Sequence, residues 1–114
     1  MRKRVDRINS LIEKELSNIL VREGDFSEEA LVTITRVNTS ANLIQAKVFL
    51  SVLPEEKTAE VFRILNRRIY EIQQQFNKRV KMRPVPRLIF VDEKATKEAG
   101  RIEELLEKLK KEGK

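Results

Sequence analysis

The feature that most constrains this chain is an apolar periodicity that stops abruptly. Phe62, Leu65, Ile69, Ile72, Phe76 and Val80 recur at alternating steps of three and four, the spacing that gathers side chains on one face of an α-helix. Pro84-Val85-Pro86 then interrupts, and Leu88-Ile89-Phe90-Val91 follows as an unbroken apolar run. Proline disfavours helical geometry at the residue ahead of it and has no N–H to donate. The helix must therefore end before Pro84, Arg83 is held extended, and the apolar run becomes a strand. Pro54 suits a first helical turn, with Glu55 and Glu56 at the positive end of the dipole, so the helix is expected to start there. It is long enough to be two helices joined by a kink.

The flanking segments complete one small domain. Val5, Ile8, Ile12, Leu16, Ile19 and Leu20 predict a first amphipathic helix stopping near Gly24, with a loop from Asp25 to Ala30. Leu31 to Val37 is dense in β-branched residues, Asn38 to Asn42 is rich in turn formers, and Leu43 to Leu53 alternates with Ile44, Ala46, Val48, Leu50 and Val52 on one side. These predict a β-hairpin. The third strand is too continuously apolar to be one-sided, which places it in the sheet interior or under both a helix and the chain terminus. From Asp92 onward seven acidic and seven basic residues balance, and Ile102, Leu105, Leu106 and Leu109 mark a last helix, docked or partly frayed. The fold class is α+β, with helices covering one face of a three-stranded sheet.

Charge is concentrated in the middle of the chain. Arg63, Arg67, Arg68, Lys78, Arg79, Lys81, Arg83 and Arg87 stand against Glu60 and Glu71, an excess of six that equals the net +6 of the whole chain, with its 24 Lys and Arg against 18 Asp and Glu. A merely solubilising face intersperses both signs, so the stripe predicts a polyanionic partner. Arg67, Arg68, Lys78, Arg79, Lys81 and Arg83 are the first candidates for nucleic-acid contact, and Arg2, Lys3, Arg4 and Arg7 form a second patch. Whether the two adjoin is open at this level. Charge reversal at Arg68 and Arg79 is expected to weaken binding and leave folding intact. Tyr70 is a candidate for stacking on a base, but it is the only tyrosine and no tryptophan exists to extend the platform.

Other chemistry loses its usual residues. The chain has neither Cys nor His, which removes thiol nucleophiles, thiolate metal sites and the commonest general base. Asp92 and Glu93 are consecutive, and consecutive side chains leave an extended backbone in opposite directions, so they make a poor acid/base or metal pair; a cap for the last helix is the expected role of Asp92 or Thr96. No catalytic residue, metal or cofactor is expected. No apolar run approaches the roughly 20 residues of a membrane span, and Asp6 follows the basic start where a signal peptide would be apolar. A cytoplasmic protein without a membrane partner is expected.

The block Val80-Lys81-Met82-Arg83-Pro84-Val85-Pro86-Arg87-Leu88-Ile89-Phe90-Val91-Asp92, with Gly100-Arg101-Ile102 and Leu105-Leu106 after it, resembles the C-terminal half of ribosome-binding factor A. Arg7-Ile8, Lys14-Glu15-Leu16, Val32 to Val37 and Ala46 to Ser51 resemble its N-terminal half. The resemblance implies a single type II KH-like domain of order α-β-β-α-α-β: residues 1–92 as the RNA-binding core and 93–114 as a helical extension. It implies an assembly factor that binds the free small (30S) ribosomal subunit, with 16S ribosomal RNA and small-subunit ribosomal proteins as partners. The factor would be a monomer, assist late RNA maturation including the 5′ end, matter most in the cold, and catalyse nothing. Two departures stand out. The Gly-x-x-Gly clamp of nucleic-acid-binding KH domains is absent, and the family's interhelical Ala-x-Gly falls here on Arg68-Ile69-Tyr70. An alternative from the residues alone is a helix-mediated interaction or dimerisation module that binds no RNA.

Overall fold

A computed structural model describes residues 2–23 and 30–112. Along them run α1 (Arg2–Glu23), β1 (Leu31–Thr39), β2 (Gln45–Leu53), a 3₁₀ turn at Glu55–Lys57, α2 (Thr58–Arg67), α3 (Ile69–Arg79), β3 (Arg87–Asp92) and α4 (Glu93–Glu112). This is the expected α-β-β-α-α-β order with a helix appended. The helix stop expected at Gly24 and most of the loop after it lie outside the described residues.

The sheet order is β1-β2-β3, with β1 antiparallel and β3 parallel to β2. β1 is an alternating strand with one irregularity: the register shifts between Ile34 and Arg36. A bulge there keeps Val32, Ile34 and Val37 all against the core although the last step is three residues. β3 does not occupy the sheet interior. A hairpin places β1 on one side of β2, and a parallel neighbour needs a long crossover, here α2 and α3, that returns the chain to the other side. β2 is therefore central: Ala46, Val48, Leu50 and Val52 are buried on one face and Phe49 on the other. β3 is apolar throughout because Leu88 and Phe90 enter the core while the start of α4 lies against β2 and β3.

Ile12, Leu16 and Ile19 of α1, Val61 and Leu65 of α2, and Ile72 and Phe76 of α3 meet Ala46, Val48, Leu50 and Leu88 in one core. Burying each large side chain stabilises the fold by roughly 1.5–3 kcal/mol. Phe62 and Ile69 are half-buried at its margin. Ile44, expected on the covered side, is 63% exposed, because β2 starts only at Gln45 and Ile44 still belongs to the turn.

The central helix is two helices. Arg68 separates them at φ −100° and ψ 7°, and its N–H is shared between the carbonyls of Ile64 (3.1 Å) and Leu65 (3.2 Å). The break falls in the Arg68-Ile69-Tyr70 register and needs no small residue, since negative φ with ψ near zero is open to any side chain. Pro54 precedes the 3₁₀ turn, and α2 itself begins at Thr58. Asp92 caps α4, its Oδ1 accepting the Lys94 N–H at 3.1 Å, and Thr96 Oγ1 donates to the Asp92 carbonyl at 3.0 Å. Further along α4, Ile102, Leu105, Leu106 and Leu109 are all more than half exposed, so this apolar face is not docked on the described part of the core.

Candidate nucleic-acid interface

The two basic patches meet. α1 packs along α3, and Arg79 Nε donates to Glu15 Oε2 at 2.7 Å, which sets the end of α3 beside the middle of α1. The connector leaving α3 then runs toward the start of α1. Met82 and Arg83 arrive next to Arg4, Arg7, Ile8 and Leu11, and with Leu43 they line a cavity of about 730 Å³. A second cavity of about 560 Å³ shares Arg4, Ile8 and Leu43 and extends to Asn9, Asn38 and Thr39. Asn9 anchors this end of α1 on the sheet: its Oδ1 accepts from the Thr39 N–H at 3.0 Å and from the Thr39 hydroxyl at 2.6 Å. Arg83 Nη1 donates to the carbonyls of Met82 (2.7 Å) and Val80 (3.3 Å), which holds its guanidinium in one orientation at the cavity rim.

The candidate cations thus divide. Arg4, Arg7 and Arg83 surround one cavity and are exposed. Lys78 and Lys81 are exposed on the last turn of α3 and in the connector. Arg79 is held by Glu15, and Arg68 pairs with Glu71 at 3.6 Å with its side chain 25% exposed. Arg67 and Arg68 stand at the far end of α3, whose 11 residues separate them from the cavity by about 16 Å of helix rise. The side chains of Arg2 and Lys3 lie outside the described part of the structure. Tyr70 is 74% exposed and lines a separate groove with Asn66, Gln73, Ile89 and neighbouring residues of β3.

The Arg79 pair changes what charge reversal there should do. Arg79→Glu would face Glu15 across a contact in which both side chains are at least two-thirds buried. It is expected to lower unfolding free energy by about 2 kcal/mol, and the exchange Glu15→Arg with Arg79→Glu to recover most of that, as read by denaturant titration. The fold is thus a confounding factor in any binding test at Arg79.

On the sheet face that carries Phe49, the consecutive carboxylates Asp92 and Glu93 are structurally committed. Glu93 is buried; its Oε1 accepts from Arg36 Nε at 3.1 Å and Thr35 Oγ1 at 3.2 Å, and its Oε2 from Arg36 Nη2 at 3.3 Å. The Arg36 guanidinium in turn lies over the Phe49 ring, 3.8 Å from its centroid. Burial would raise the Glu93 pKa, but the Arg36 charge and the hydrogen bonds from Arg36 and Thr35 outweigh it and hold the carboxyl below its ordinary value near 4.5. A depressed carboxyl stabilises the fold above its unfolded pKa and ceases to as pH falls through the folded one. The stability lost in Glu93→Gln should therefore be full at neutral pH and shrink below about pH 4.5, as denaturant titrations of both proteins across that range would show. Asp92, beside Glu93, caps α4.

The sequence pointed to the cations but not to what arranges them. Asn9, Leu11 and Leu43 carried no signal, and Glu15 and Met82 only that of the family resemblance, because each acts at the site through a partner distant in the chain. No helix among the described residues is long and apolar enough to cross a membrane.

The family model described as ribosome-binding factor A matches residues 4–106. A ribosome-binding factor A of Protochlamydia amoebophila is 38% identical over 112 residues, covering 96% of this chain and 85% of that protein. The crystal structure of ribosome-binding factor A from Thermus thermophilus superposes with a TM-score of 0.64 at 24% identity, over 77% of this chain and 94% of that one. A homology model of the Thermus thermophilus factor, fitted into a cryo-EM map of its complex with 30S, gives a TM-score of 0.62 at 26% identity, over 75% and 91% of the two chains.

Proposed function

The chain belongs to the ribosome-binding factor A family, and on that footing we propose that it binds the free small ribosomal subunit through 16S ribosomal RNA, in the cytoplasm. The observation that carries this reading is the convergence of Arg4, Arg7 and Arg83, from opposite ends of the domain, on one exposed cavity. The fitted 30S complex of the Thermus thermophilus relative supports it. Residues 1–92 hold the contacts and 93–114 form an extension. Small-subunit proteins border the contact. The factor assists late maturation, including that of the 5′ end, and is needed most in the cold. It acts by binding and not by catalysis: holding an immature RNA conformation more tightly than the mature one shifts the population toward it, and the factor leaves when mature contacts compete.

Cosedimentation with separated small subunits, large subunits and whole ribosomes tests this. Selective binding to free small subunits is expected. With Arg4, Arg7, Lys78, Lys81 and Arg83 each neutralising a phosphate, affinity should fall on the order of several hundredfold between about 50 and 200 mM salt. Equal binding to all three particles would reduce the protein to a general polyanion binder.

The exposed apolar face of α4 favours a second reading, in which the extension contacts a protein. The central helices cannot serve that role, since their apolar face is spent on the core. Light scattering that shows a stable dimer indifferent to RNA would favour it.

A further inference from the structure

The cavity between Arg4, Arg7 and Arg83 has an apolar lining, which phosphate binding alone does not require. Leu11 is 40% exposed there, and Ile8 and Met82 reach it from the margin of the core. Leu43 is the informative residue. It stands at φ 60°, the left-handed region in which it is the one non-glycine residue among those described. Glycine or asparagine ordinarily occupies such a position, because a larger side chain crowds its own backbone. Leu43 does not join the hydrophobic core cluster, yet it lines both cavities at this end of the domain. Its neighbour Asn42 supports the turn instead, its Oδ1 accepting from the Ser40 hydroxyl at 2.7 Å and the Ile44 N–H at 3.1 Å. A strained leucine that does not serve the core and borders an arginine-lined cavity marks a binding surface.

We propose that this cavity receives an unstacked nucleotide of single-stranded RNA. The base lies against Leu43, Leu11 and Met82, and the phosphates flanking it meet Arg4, Arg7 and Arg83. The volume of about 730 Å³ is within the range of roughly 300–1,000 Å³ typical of small-ligand sites. Arg83, held by two backbone carbonyls, needs little reorganisation to meet a phosphate. Duplex RNA keeps its bases stacked and offers mainly phosphates and 2′-hydroxyls, so it cannot use the apolar lining. The inference rests on the RNA-binding reading and narrows it: the segment bound is single-stranded, and selection comes from the base face, tolerant of sequence.

Fluorescence anisotropy with the full chain tests it, using a short oligouridylate, an abasic ribose-phosphate chain of equal length and an RNA duplex, all at one salt concentration. The oligouridylate should bind about tenfold more tightly than the abasic chain, and more tightly than the duplex. Leu43→Asn suits the backbone, should keep or raise the melting temperature, and should bring oligouridylate binding close to the abasic level while leaving abasic binding unchanged. Leu11→Ser, at an exposed helix position, should act in the same direction. Equal affinity of the unaltered protein for oligouridylate and abasic chain would overturn the inference while selective small-subunit binding still stood. Leu43→Asn and Leu11→Ser that both bind oligouridylate as tightly as the unaltered protein would overturn it too. No binding to any RNA or to small subunits would overturn both this inference and the reading beneath it.

Discussion

A protein carrying Arg4→Glu, Arg7→Glu and Arg83→Glu is expected to bind small subunits on the order of a hundredfold more weakly at about 100 mM salt, and to remain folded. Each lost phosphate contact forgoes the release of close to one counterion, worth roughly a factor of five to eight at that salt, and three compound to the figure given. The slope of log affinity against log salt should become shallower by two to three, roughly. None of the three forms an ion pair among the described residues, and all are exposed, so stability should change by no more than about 1 kcal/mol. Arg67→Glu is the comparison. At the α2–α3 junction it is remote from the cavity, and its effect should be several times smaller. Full loss of binding in Arg67→Glu, with the triple variant unaffected, would relocate the interface to the junction.

Phe76→Ala should cost about 3–5 kcal/mol of unfolding free energy, the usual penalty for deleting a buried aromatic ring. Phe76 is completely buried, in the last turns of α3 among side chains of α1, α2 and the sheet. A domain of this size is stable by roughly 5–15 kcal/mol in total, so the variant should sit close to its unfolding threshold in denaturant titration. Binding should fail with it, because α3 carries Lys78, aims the connector that places Arg83, and through Arg79 fixes α1. Phe76→Leu keeps most of the volume and should lose much less. A Phe76→Ala protein as stable as the unaltered one would mean that the core is organised elsewhere.

These two predictions differ in how far they could be read from the chain. The burial of Phe76 follows from a spacing of three and four repeated along a helix, a local property that any core must satisfy. The stop at Val80, the turn into β3 and the capping by Asp92 are equally local, since proline geometry and a carboxylate ahead of a helix act over a few residues. The grouping of Arg4 and Arg7 with Arg83 has no such basis. Their separation in sequence is nearly the length of the core, and the Arg79–Glu15 contact and the Asn9–Thr39 anchor that bring them together are each made between distant elements.

β3 shows the same division. Its apolar run announced a strand, but a run buried by helices on one face and by the start of α4 on the other looks the same as a run inside a sheet. Only the hairpin and crossover decide which strand has two neighbours. A kink was expected, but Arg68-Ile69-Tyr70, where the family's Ala-x-Gly falls, offers no small residue and left its position and sharpness open; the N–H shared at Arg68 needs no diagnostic residue. The sequence by itself determined the elements, their order, most of the core-facing residues and the excess of positive charge, all of which depend on neighbours within a turn or two. The tertiary structure alone decided which strand is central, which arginines are bound to carboxylates and which surround the cavity, and that Leu43 adopts a strained backbone beside them. Those outcomes depend on contacts between residues far apart in the chain, and periodicity and composition carry no record of such contacts.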